Sequence, residues 1–166
     1  MHPIAFSYHF CNQRGKLPLM IRYEQDFNAW LLHTIRLIQQ EKFAAIDKEH
    51  LIEELEGMSK SQQHELLNHL RVLLAHLLKW QFQPTYRCNS WRRTIVEQRQ
   101  QIRDLLEDSP SLKHRLTEKF VKSYTDAVEY TAAETGLPIT QFPTVCPYNL
   151  VQTLDHGFYP DGEKQA

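Results

Sequence analysis

Leu51, Leu55, Met58, Gln62, Leu66, His69, Leu73, His76 and Trp80 stand three or four residues apart through a stretch without proline. Residues so spaced share one face of a helix. A chain committed to so long a stripe must cover it with other helices, because one helix alone leaves its apolar face in water. The signal recurs on both sides. Phe27, Trp30, Leu31, Thr34, Ile38 and the nearby Leu37 form one stripe over 24–43. Trp91, Ile95, Gln98, Ile102 and Leu105 form another, opened by Asn89 or Ser90. Leu112, Leu116, Phe120, Tyr124, Ala127 and Tyr130 form a third, and Leu150, Val151 and Leu154 mark a short last helix over about 147–155. Leu is the commonest residue and only five Gly are present. The expectation is an all-α helical bundle of four or more helices with a short C-terminal helix.

Punctuation divides these stripes. Asp47 is a suitable N-cap, with Ile46 and Leu51 at the flanking staple positions. Gly57, and Ser59 with Gln62 at capping-box spacing, favour a kink near 57–59 over one unbroken helix from 48 to 82. Pro84 closes that segment. Ser109-Pro110 places a cap before a proline at the first helical position, and Gly136 with Pro138 supplies a stop. The expected organisation is a loose N-terminal arm over 1–22, a single bundle domain over 23–157 and a tail over 158–166. Because the arm lacks a helical period, Met20 is an alternative point for translation to start.

Composition excludes several classes. The 19 Lys and Arg against 20 Asp and Glu argue against a globally basic nucleic-acid coat and against an acidic disordered tail. Cys11, Cys88 and Cys146 stand alone, without a redox or zinc-ribbon spacing, as in a reducing compartment. No apolar run approaches the roughly 20 residues of a membrane span, and the first residues lack a secretory core. A cytoplasmic location away from the membrane is expected. Gly-rich phosphate loops and a nucleophile elbow are absent from the sequence, and nothing in it calls for a cofactor.

Several ordered segments resemble a known family. They are Tyr23-Glu24-Gln25-Asp26-Phe27-Asn28-Ala29-Trp30, the run from Leu73 to Gln81, Ser90-Trp91-Arg92, the run from Leu105 to Leu112, Glu134-Thr135-Gly136-Leu137-Pro138 and Cys146-Pro147-Tyr148. Together they resemble the bacterial, cyanobacteria-rich domain of unknown function 29 family over about residues 23–160. The resemblance implies a helical bundle in a bacterial cytoplasm and implies no activity.

Candidate sites follow from residue type and spacing. His69 and His76 lie two turns apart on the long stripe, about 10 Å along the axis, too far to share a metal unaided. With Trp80, Trp91 and Glu54 they make a candidate pocket for a ligand or a general base. The plainer reading is a core histidine held by another helix, aromatic residues that fill the core, and a solvated acidic face. His64 and His69 resemble a zinc motif with one residue too many, and lie about 140° apart around a helix. Asp47-Lys48-Glu49-His50 is the nearest approach to a di-iron motif, but Asp47 is more simply a cap. No metal site is expected.

Charge is uneven. Residues 41–65 hold seven acids against three bases, whereas 71–103 hold Arg71, Lys79, Arg87, Arg92, Arg93, Arg99 and Arg103 against Glu97. Arg87, Arg92, Arg93 and Arg99, interleaved with aromatic residues, are candidate contacts for an anion or nucleic acid. The bland alternative pairs this segment with the acidic one inside the bundle. The balance favours a non-enzymatic interaction module for a protein partner, with nucleic acid less favoured. The alternative is a ligand-binding or metal-dependent enzyme around His76, Trp80, Glu54 and Trp91.

Overall fold

The computed structural model describes residues 22–160. Residues 1–21, which hold almost all of the expected arm, and 161–166 lie outside the described residues. The chain is all-α: α1 Phe27–Gln39, α2 Lys48–Phe82, α3 Asn89–Asp108, α4 Leu112–Thr135 and α5 Leu150–Leu154, joined by short 3₁₀ turns. None of the described helices is long and apolar enough to cross a membrane. Two compact units divide between Glu54 and Leu55.

The first unit contains α1 and the start of α2. Asp26 caps α1 by accepting from the Ala29 amide at 2.9 Å. The helix stops earlier than its apolar period suggests. Glu41 adopts a left-handed conformation (φ 58°), its amide donates to the Ile38 carbonyl at 3.0 Å, and the Lys42 amide donates to Leu37 at 2.9 Å. Those two bonds satisfy carbonyls that a helix end otherwise leaves bare.

The second unit is built around the later part of α2. Leu66, Leu70, Leu73, Leu74, Ala75, Leu77 and Leu78 are fully buried. They pack with Ile95 and Ile102 of α3, with Leu112, Leu116, Tyr124, Ala127 and Val128 of α4, and with Phe142 and Tyr148 of the connector. Truncating one such Leu to Ala typically costs about 2–5 kcal/mol. Ala75 and Ala127 are both without exposure, and the Thr131 hydroxyl lies 2.7 Å from the Ala127 carbonyl and 3.4 Å from Ala75. The proline-rich connector after α4 is fixed by Tyr124, whose hydroxyl donates to the Pro143 carbonyl at 2.6 Å.

Further local expectations change. Helix α3 starts at Asn89 with Cys88 at its N-cap position, so neither Asn89 nor Ser90 caps it. The break near 57–59 is absent: α2 runs unbroken, and Ser59 lies inside it, near enough to take a 3.4 Å bond from Gln63. Gly57 has open space around it, so nothing there bends the chain. Helix α4 starts at Leu112 with Ser111 before it, because Ser109-Pro110 forms a separate turn ahead of the helix. Residues 158–160, read as the start of a tail, pack down: Pro160 is buried, and Phe158 and Tyr159 lie against the core.

Two backbone positions should respond to glycine in opposite directions. Gly136 ends α4 at φ 73°, where a Cβ is strained, so Gly136→Ala should cost about 1 kcal/mol. Glu41 carries that strain already, so Glu41→Gly should stabilise by about 0.5–1 kcal/mol. Denaturant unfolding of the two variants checks both signs.

Candidate functional site

Most of the residues singled out in the sequence belong to the second unit. Lys79 is their hub. It sits on α2 after six residues of which five are buried, and is itself only 4% exposed. A buried ammonium needs compensation. Glu134 of α4 supplies it at 2.7 Å, and the ring of Trp91 on α3 lies beneath, 4.6 Å from the Lys79 nitrogen to its centroid. One side chain thus ties three helices. Trp80, one residue on, packs against Tyr159 at 5.0 Å. Arg87 stacks over Trp80 at 5.1 Å and donates to its backbone carbonyl at 2.8 Å.

The two histidines differ. His69 meets Gln98 of α3 at 2.7 Å, the cross-helix partner expected of a core histidine. His76 is half-buried, and its Nδ1 lies 3.0 Å from the Val72 carbonyl of its own helix rather than from another helix. Burial, with the Lys79 charge nearby, holds its pKa below the ordinary 6.5. Glu54 belongs to the first unit and accepts from the Tyr23 hydroxyl.

The arginines separate into two kinds. Arg92 and Arg93 are exposed at the start of α3, and Arg92 lies over the Tyr159 ring at 5.7 Å. Arg99 is not a surface contact. It is 1% exposed and donates to the carbonyls of Thr153 at 2.9 Å, His156 at 3.3 Å and Phe158 at 2.7 Å. The forked guanidinium gathers a bare carbonyl from the last turn of α5 and two from the chain beyond it, which holds residues 158–160 onto the unit. Nor do acidic residues of 41–65 serve as arginine partners in the expected way: Glu56 pairs with Lys60 at 3.0 Å on its own helix.

The first unit holds a cleft of about 470 Å³ lined by Tyr23, Trp30, His33, Thr34, Asp47 and His50 among others. The Asp47 carboxylate caps α2 at the His50 amide (3.4 Å) and also accepts from His50 Nδ1 at 2.7 Å. This bond raises the His50 pKa and lowers that of Asp47. Glu24 lies 3.6 Å from the other ring nitrogen, and Tyr23 stacks on the imidazole at 4.3 Å. The sequence put Asp47 near His50 but gave no sign that Tyr23 and Glu24 would close over the ring.

Helix α1 carries the largest departure. At about 100° per residue its apolar side chains span roughly 220° of the helix circumference. Trp30, Thr34 and Leu37 are buried, whereas Phe27, Leu32, Ile35 and Ile38 are exposed. The single stripe expected there is therefore two faces, one covered and one bare.

A sequence profile described as Domain of unknown function DUF29 matches residues 22–159. The chain belongs to this family. No curated protein and no solved structure matches it. In this DUF29 chain the profile takes in both the Asp47–His50 pair and the Lys79–Glu134–Trp91 junction.

His76 gives a pH test. A lowered folded pKa means its contribution to stability is present above about pH 6.5 and is lost as pH falls through the folded value. His76→Leu should therefore gain on the wild type between about pH 7 and pH 5. Urea unfolding across that range checks it; parallel pH profiles would count against it.

Proposed function

We propose that this DUF29 chain is a non-enzymatic interaction module whose outer α1 face docks a second copy of the same chain. The observation that carries the reading is the bare face of Phe27, Leu32, Ile35 and Ile38, with the half-buried Leu31 between them. A contiguous exposed apolar face marks an interaction surface more often than chance exposure does. The described part of the first unit, residues 22–54, buries only Trp30, Thr34 and Leu37. So small a core ordinarily needs oligomerisation or another staple.

Charge favours a second copy as the occupant. Before α1, Glu24 and Asp26 outweigh Arg22, and at its far end Arg36 and Lys42 outweigh Glu41, so the two ends carry opposite net charge. Antiparallel pairing centred between Leu31 and Ile35 sets opposite charges together at both ends and opposes the two helix dipoles. Parallel pairing would stack like charges. One 13-residue helix face is small for an interface, so the dimer is concentration-dependent. A cytoplasmic setting accords with the exposed free thiol of Cys88.

Nucleic acid binding draws less support, since Arg99 and Arg87 are engaged by backbone carbonyls, leaving Arg92 and Arg93. A catalytic reading draws its best support from Asp47 and His50 rather than from the residues around His76.

Sedimentation equilibrium of the full chain from about 1 to about 100 μM should give a monomer–dimer equilibrium, an affinity of roughly −6 to −8 kcal/mol. Ile35→Glu should shift it to monomer, leave helicity and melting unchanged at about 1 μM because Ile35 is exposed, and abolish the rise in melting temperature with concentration that association gives the wild type. A wild type that stays monomeric at the highest concentration would sink the proposal.

A further inference from the structure

A second cleft, about 400 Å³, lies wholly within the second unit, where α3, the turn before α4 and α5 meet. That volume falls in the roughly 300–1,000 Å³ range of small-molecule sites. Ile102, Leu106, Pro110 and Leu154 give it apolar walls. Its ionisable lining is Arg99, Arg103 and Lys113 against a single acid, Glu107.

Arg99 makes this charge unusual. Its guanidinium is buried, and its three hydrogen bonds all go to backbone carbonyls. No carboxylate lies within ion-pair distance of Arg99, Arg103 or Lys113 among the described residues. Carbonyl dipoles satisfy the N–H groups and the Tyr159 ring lies 5.5 Å from the guanidinium, while Asp155 acts only from beyond ion-pair distance. The positive charge therefore keeps no adjacent carboxylate, and in a poorly solvated wall its field reaches further than in water. Arg103, one turn along α3, and the exposed Lys113 add flexible donors that can close on an anion.

We infer that this cleft binds a small amphipathic carboxylate, its hydrocarbon chain against Ile102, Leu106 and Leu154 and its headgroup held by Arg103 and Lys113. A fully polar anion would leave the apolar walls wet, and a neutral hydrocarbon would leave the cations unused. Buried Arg99 acts through its charge rather than by contact.

Titration calorimetry of the full chain with hexanoate, octanoate and decanoate, each below its micelle concentration, tests this. Affinity should rise about fourfold per added methylene. Octan-1-ol, which matches octanoate in length but lacks its charge, should bind at least about tenfold more weakly, as expected when a charge-assisted pair is missing. Arg103→Gln with Lys113→Gln should remove that preference for octanoate and leave octan-1-ol binding unchanged. Both positions are at the rim rather than in the core, so the variant should fold, which circular dichroism verifies. Octan-1-ol binding as tightly as octanoate, no dependence on chain length, or no saturable binding of decanoate by about 1 mM would each overturn the inference.

Discussion

The later part of α2 is buried on nearly every side, and the second unit is the set of elements that covers it. Leu66, Leu70, Leu73, Leu74, Leu77 and Leu78 fill roughly 140° of its circumference at about 100° per residue, and Ala75 and Lys79 are buried on the opposite side. A helix covered that widely sits inside a bundle rather than on its surface. Helices α3 and α4 cover two sides, and the connector bearing Phe142 and Tyr148 covers more. The first half of the same helix has no such demand: Ile52, Leu55 and Met58 remain exposed. One continuous helix thus changes character along its length, from a mostly solvated rod to a buried axis.

Two cations are drawn into this construction, and each is compensated differently. Lys79 meets a carboxylate and an aromatic face, so its charge is balanced. Arg99 meets three carbonyls and the Tyr159 ring at 5.5 Å, but no carboxylate lies within ion-pair distance of it among the described residues. Removing Glu134 would leave a buried ammonium beside Trp91, a loss tempered by the water that reaches the half-exposed Glu134. Removing Arg99 would free three carbonyls and release the segment that carries Phe158, Tyr159 and Pro160. The first residue holds helices to one another; the second holds the end of the described chain to the helices.

Helix type and order were legible in the sequence because period, caps and stops are local. Asp47 and Gly136 act through bonds to residues within four positions, so the sequence displays both partners, whereas Asn89 and Ser90, expected to cap α3, lie inside it. What it does not display is which apolar face finds cover. The Phe27 to Ile38 pattern looked like one stripe, yet its two sides have different fates. Arg99 read as one arginine among seven cations, since its partners lie more than 50 residues away. Lys79 was hidden as well: at about 100° per residue it lies roughly opposite the leucine face, where a lysine is expected in solvent. The Tyr23–His50 stack had no local sign either, because it depends on how the turn before α1 folds back.

The same accounting separates the two units by how nearly each is complete. In the second unit the strongly apolar surface of α2 is consumed, and what remains open is a small cleft with surplus positive charge. In the first, α1 offers more than half its circumference as apolar surface and covers only the part around Trp30, Thr34 and Leu37. Local propensity does not require that excess: a helix of this length needs one apolar face to dock, and polar residues on the other face would serve solubility better. Leu32, Ile35 and Ile38 therefore carry a cost in water that the isolated unit does not recover. A homotypic contact recovers it twice over by symmetry, since every residue buried on one copy is buried on the other. On the proposed reading, that bare face makes association, rather than catalysis, the physical problem posed by α1.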